Sequence, residues 1–180
     1  RQEEINNLLE PYNLSPDTPL VQRWWTWLTN ILTKWDWGQS PVGEMVNSEI
    51  SYRIWVSAQL LLLSTILSIL IGVAVGVYTA SRQYKTGDRI WQGISIIAMN
   101  THVVVASIAV VWGALKINEL TGKKIFYVVG SHSLDVEGFF PNLMDSAQHL
   151  VLPTISLVFI SYASYHMTQR ALLLDNLDAD

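Results

Sequence analysis

Hydrophobic and polar positions alternate along this chain in long blocks. No charged side chain lies between Arg53 and Arg82, between Arg89 and Lys116, or between Asp145 and Arg170. About 20 apolar residues in a helix suffice to cross the ~30 Å hydrocarbon core of a bilayer. The blocks therefore predict transmembrane helices over 55–81, 90–117 and 149–171. The alternative for each is a buried core helix of a water-soluble fold. Three such helices in 180 residues would leave too little polar surface to cover them. The expected fold class is all-α, a polytopic transmembrane helix bundle.

The first block has a finer pattern. Ser64, Ser68, Gly72, Gly76 and Ala80 recur every fourth residue, so they share one side of a helix otherwise filled with Leu, Ile and Val. In lipid, hiding Leu from water no longer drives helices together, and close backbone approach across small side chains does. These five residues are expected to be a packing seam.

Lys and Arg mark the cytoplasmic side. Arg82, Lys85 and Arg89 crowd the loop 82–89, whereas 118–148 mixes its basic residues with Glu119, Asp135, Glu137 and Asp145. The expected order is an extracytoplasmic segment 1–54, the first span, a cytoplasmic loop 82–89, the second span, an extracytoplasmic loop 118–148, the third span and a cytoplasmic end 172–180. Residues 20–37 mix five Trp with Arg23, Lys34 and Asp36. Trp favours the headgroup layer, so an amphipathic helix on the outer leaflet is expected, with a helix packed on a partner domain as the alternative. "GQSPVGE" reads as a turn into the first span.

Composition agrees with a membrane chain: half the residues are hydrophobic and only 14% are charged, against about a quarter in soluble domains. There is no cysteine, which excludes disulfides, thiolate metal sites and Cys nucleophiles within this sequence. The net charge of −4 without a basic cluster speaks against nucleic-acid binding. Opening at Arg1 without Met and closing on "LDNLDAD", the sequence is expected to be a piece of a longer one.

Polar residues at depth are the candidate chemistry. In a continuous second span, Asn100, Thr101 and His102 would lie about 15 Å in, near the midplane. They would either line a pathway or bond to neighbouring helices and backbone. Ser161, Tyr162, Ser164, Tyr165 and His166 make the inner half of the third span semi-polar, and Ser161 and Tyr165 are the other pathway candidates. His166 reads as a hydrogen-bonded interfacial residue and not as a proton carrier.

Four stretches together resemble the permease subunits of dipeptide and oligopeptide ABC importers, of the B type. The first is "LSPDTPLVQRWWTWLTNILTKWDWGQS", with Leu14, Asp17 and Pro19, then Gln22, Trp27 and Leu28, then Asp36, Gly38 and Ser40. The second is "GVAVGVYTASRQYKTGDR", similar to the family's small-residue span, basic loop and Asp-Arg. "HLVLPTISL" and "RALLLDNLDAD" are the others. The chain departs from the family in "AMNTHVV", which lacks a proline, and in "SYHMTQ", which lacks an Arg.

The resemblance implies a bacterial inner-membrane, multi-pass subunit of an ATP-driven peptide importer, with a preceding span and two later ones outside this sequence. It implies a second homologous permease, two ATP-binding subunits and an extracytoplasmic substrate-binding protein as partners, with membrane lipid around and peptide as substrate. Trp24, Trp27, Trp35 and Asp36 would then meet the binding protein. Arg170, Asp175, Asp178 and Asp180 would lead into the ATPase-docking loop. No cofactor or metal is expected on this chain: it has no G-x-x-x-x-G-K-[ST], and ATP and Mg would sit on the ATPase subunits. Nickel or another small solute is the alternative cargo within the family. The rivals outside it are a passive channel and an intramembrane enzyme, but no H-E-x-x-H, G-x-S-x-G or intramembrane Asp pair is present.

Overall fold

A computed structural model describes Ile5, Leu9 and residues 18–40, 45–130, 132–133, 136 and 138–177. Its helices are α1 (Leu20–Lys34), α2 (Val46–Ala80), α3 (Thr86–Asn100), α4 (Val103–Thr121) and α5 (Phe139–Leu177). Chain contacts divide it after Ser57, within α2, into two compact units. Three helices, α2, α4 and α5, are long and apolar enough to cross a membrane, and most of the apolar surface of each is exposed. In water such surface would drive aggregation, whereas in a bilayer it faces lipid or other helices.

In the first unit, α1 ends where Trp35 takes a left-handed conformation with φ 55°. The Trp35 N–H bonds to the Ile31 carbonyl and the Asp36 N–H reaches back to the Asn30 carbonyl, which closes the last turn. Asn47 holds the turn that follows: its side chain donates to the Trp35 carbonyl at 2.8 Å and accepts from Trp37 N–H at 2.9 Å. Asp36 accepts from Gly38 N–H. Part of the turn expected at "GQSPVGE" lies outside the described residues.

In the second unit, α5 is the shared support. Both α3 and α4 pack against it, and α2 meets it through its small residues. Ser64, Ser68, Gly72, Gly76 and Ala80 are all buried. A Cβ on Gly72 would lie 2.5 Å from Tyr165 Cβ and 2.8 Å from the Tyr162 carbonyl oxygen. On Gly76 it would lie 2.7 Å from Gln169 Cβ. The seam hydroxyls are satisfied within their own helix, Ser68 donating to the Ser64 carbonyl and Ser64 to Leu61, so no polar group is left bare.

The expectation of one helix over 90–117 is corrected: the chain breaks at Thr101 and His102, both extended. Neither proline nor glycine causes it. Asn100 and Thr101 turn their side chains onto the carbonyls of Ile96 and Ile97, and His102 Nδ1 accepts from Val104 N–H as an N-cap. Three successive side chains that bond to backbone offer the chain a substitute for the helical ladder, and a Val103–Val105 run follows, stiff at χ1. The third helix also starts well before residue 149, taking over the last part of the expected 118–148 loop.

The tight seam predicts an asymmetry among glycines. Gly72→Ala should lower the thermal midpoint of the purified full-length protein in detergent, by an overpacking penalty of about 1–3 kcal/mol. Gly113→Ala, where a Cβ meets nothing within 4 Å, should leave the midpoint unchanged or raise it. Equal midpoints for the two variants would contradict the close α2–α5 approach.

Candidate functional site

Four buried polar side chains, Thr79, Asp88, Ser95 and His166, gather at one end of the second unit, next to the loop 81–85. His166 on α5 has no exposed surface. Its Nε2 lies 3.0 Å from Thr79 Oγ1 on α2, and its Nδ1 lies 2.6 Å from Ser95 Oγ on α3. Thr79 Oγ1 is also within bonding distance of the Val75 and Gly76 carbonyls. A hydroxyl has one proton to give. Donated to its own helix, that proton leaves Thr79 to accept from Nε2–H, and Ser95 then donates to Nδ1. The Tyr162 hydroxyl stands 3.4 Å from Ser95 Oγ. One arrangement of protons thus satisfies the imidazole at both nitrogens.

One turn further along α5, Arg170 binds Asp88 of α3 in a fork, with Nε to Oδ1 at 2.8 Å and Nη2 to Oδ2 at 2.9 Å. Asp88 is fully buried. It also accepts from Gln92 Nε2 at 2.7 Å and from the Tyr84 N–H at 3.0 Å. The Tyr84 backbone sits at φ 62°, in the left-handed region, which aims that N–H at the carboxylate. His166 and Arg170 are four residues apart, hence on one face. Together they tie α2, α3 and the connecting loop to α5.

Chemically this is a bracket. Ser95 and His166 are close enough for a nucleophile and base, but both are wholly enclosed. The second imidazole nitrogen is engaged by Thr79 and not by a carboxylate, which in triads orients the base. Beside the bracket, α2, α3 and α5 line an open groove of about 350 Å³ walled by Leu67, Ile71, Ile94, Val158 and Phe159, with Tyr162 at the bracket's edge. Thr154, also in its wall, has a buried Oγ1 without a partner. Its wall is otherwise oily and offers little to a peptide backbone.

The residues singled out from the sequence fall in separate places. Asn100, Thr101 and His102 form the α3–α4 break. Ser161 is half-buried, and Tyr165 lies against Gly72. Among the described residues no hydrogen bond joins Ser161 or Tyr165 to the break. Trp24, Trp27 and Trp35 are exposed in the first unit, and Trp35 Nε1 donates to Ser51 Oγ at 3.4 Å. Arg170 is held by Asp88, Asp175 is exposed, and Asp178 and Asp180 lie outside the described residues. Thr79, Asp88, Gln92 and Ser95 were not candidates from sequence. Asp88 stood in the Asp-Arg of the second family-like stretch, and Asp88–Gln92 and His166–Arg170 are polar pairs four apart at the ends of apolar blocks, but neither trace showed that they meet.

The Arg170 guanidinium, helped by Tyr84 N–H and Gln92, holds the Asp88 carboxyl below the usual carboxylate range against the opposing effect of burial. Its stabilisation is therefore complete above the ordinary aspartate pKa of about 3.9 and is lost as pH falls through the lowered value. Asp88→Asn should destabilise the protein by about 3 kcal/mol at neutral pH, since it leaves a largely enclosed guanidinium without its counter-charge. The gap between variant and native protein should close on acidification below about pH 4. A gap independent of pH would contradict an ionised Asp88.

Comparison with known proteins adds a family. No family model matches the chain. Over 170 residues it is 31% identical to "Oligopeptide transport system permease protein OppB" of Mycobacterium bovis, and equally to that of Mycobacterium tuberculosis. The match covers 94% of this chain and 52% of the relative. It is 28% identical over 183 residues to "Oligopeptide transport system permease protein AppB" of Bacillus subtilis, covering 99% of this chain and 54% of that protein. The chain spans about half the length of the curated relatives it matches.

Proposed function

Because the chain belongs to the family of oligopeptide transport permeases, we propose that it is part of the membrane subunit of an ATP-driven oligopeptide importer in a bacterial cell membrane. The observation that carries this reading is the match along nearly the whole chain to two differently named oligopeptide permeases. Helices α2, α4 and α5, which have the length and apolarity of membrane spans, support it. In this reading the Arg82–Arg89 loop faces the cytoplasm, in accord with the positive-inside rule. A second, homologous permease completes the pathway. Two ATP-binding subunits, which carry ATP and Mg, dock on the cytoplasmic side near the end of α5. A substrate-binding protein delivers peptide from outside to the Trp-rich segment.

ATP binding then rocks the permeases between inward- and outward-facing states, a transition between two packed arrangements and not a continuous deformation. The chain itself is a non-catalytic part of the assembly, and the hydrolysis belongs to its partners. Nickel or another small solute stands as the alternative cargo.

Uptake of a labelled tetrapeptide by cells that carry the full-length gene, compared with a deletion strain, tests the proposal. Uptake should fall at least tenfold on deletion, stop on ATP depletion, and return with the plasmid-borne gene, and purification of the tagged protein should recover an ATPase pair and a second permease. Unchanged peptide uptake in the deletion strain would refute the substrate class. A protein purified alone, with uptake persisting after ATP depletion, would refute the ATP-driven mechanism.

A further inference from the structure

We propose that the Thr101–His102 break is a hinge, on one side of which α3 moves as a single body with α2 and α5, while on the other side α4 shifts over α5. The two helices that flank the break are attached to α5 in different ways. α3 is bound by directional contacts between buried groups: Asp88 to Arg170 in a two-point fork, and Ser95 to His166 at 2.6 Å. A slide by one helical turn, about 5.4 Å, would strip all four groups of their partners, and Asp88, Ser95 and His166 have no exposed surface at which water could replace them.

α4 has nothing of this kind. It packs against α5, but its buried residues are Ala106 and Ala114. Among the described residues no hydrogen bond or ion pair joins α4 to α5. A contact made by alanines is non-directional, and a shift across it leaves no polar group unpaired.

The junction is built so that its two ends survive a change of angle. Asn100 Nδ2 and Thr101 Oγ1 bond to the carbonyls of Ile96 and Ile97, one turn back in α3. His102 Nδ1 accepts from Val104 N–H, and the His102 carbonyl accepts from Val105 and Ala106 N–H, all forward into α4. The end of α3 is thus capped by residues that look only to α3, and the start of α4 by one that looks only to α4. Between them Thr101 and His102 have extended backbone, with ψ 125° and 142°. Changes of φ and ψ at a few element-terminal residues are how hinges absorb rigid-body movement.

The test measures distance distributions between nitroxide pairs by double electron–electron resonance in the full-length protein, reconstituted in nanodiscs. Ile97, Ile108 and Leu172 are exposed label sites on α3, α4 and α5, and these 180 residues contain no cysteine to interfere. The Ile97→Cys/Leu172→Cys pair should give a narrow distribution. The Ile108→Cys/Leu172→Cys pair should give one at least twice as wide, or two peaks. Adding Asn100→Leu, Thr101→Leu and His102→Leu, which removes the three caps, should narrow the second distribution and leave the first as it was. Equal widths for the two native pairs would overturn the hinge, as would a triple variant whose α4–α5 distribution stays broad. Should the triple variant not fold, the comparison of the two native pairs decides alone. Peptide uptake plays no part in this readout, so the transport reading and the hinge can fail separately.

Discussion

A guanidinium and a carboxylate enclosed side by side, Arg170 and Asp88, govern the architecture around them. Asp88 has no exposed surface and the Arg170 side chain only 15%, and an unpaired buried charge is far more costly than the pair is favourable. The remaining lone pairs of Asp88 are therefore filled too, by Gln92 and by the N–H of Tyr84. That requirement fixes the register of α3 on α5 and the left-handed turn at Tyr84. His166 extends the same condition one turn along, adding Thr79 and thereby α2.

The seam and the bracket divide the labour between α2 and α5. Gly72 and Gly76 let the two backbones approach until a methyl group would collide. This supplies dispersion contacts but little to define how far one helix slides along the other. Thr79 and His166, at the end of the same seam, define it by a hydrogen bond of 3.0 Å, which a slide would break. Proximity from small residues and register from polar ones are separate contributions, and each is needed where the hydrophobic effect no longer orders helices.

The spans were legible in sequence because a run of more than twenty residues without charge has few other physical meanings. The small-residue row was legible as a row, since five residues four apart must share a side. The α3–α4 break was not, because it has no proline or glycine and arises from Asn100, Thr101 and His102 bonding to backbone. Those same polar residues were read as pathway candidates at midspan for want of any sign that the helix stops. The early start of α5 was hidden because "FFPNLMD" carries Pro141 near its first turn and a charge at Asp145. The bracket was the least legible. Asp88 and Arg170 are 82 residues apart, and a single sequence shows two charges at the edges of apolar blocks without showing that they meet. The family emerged from four weak stretches taken together, and the relatives' match along nearly the whole chain agrees with it.

A double-mutant cycle on Asp88 and Arg170 tests most directly the claim that this buried pair sets the geometry. Unfolding free energies would be measured for the native full-length protein, Asp88→Asn, Arg170→Gln and the double variant. Strong non-additivity is expected, with a coupling of about 1–3 kcal/mol as for groups in one buried network. Additive effects, to within about 0.5 kcal/mol, would mean that the two side chains do not hold each other and would contradict it.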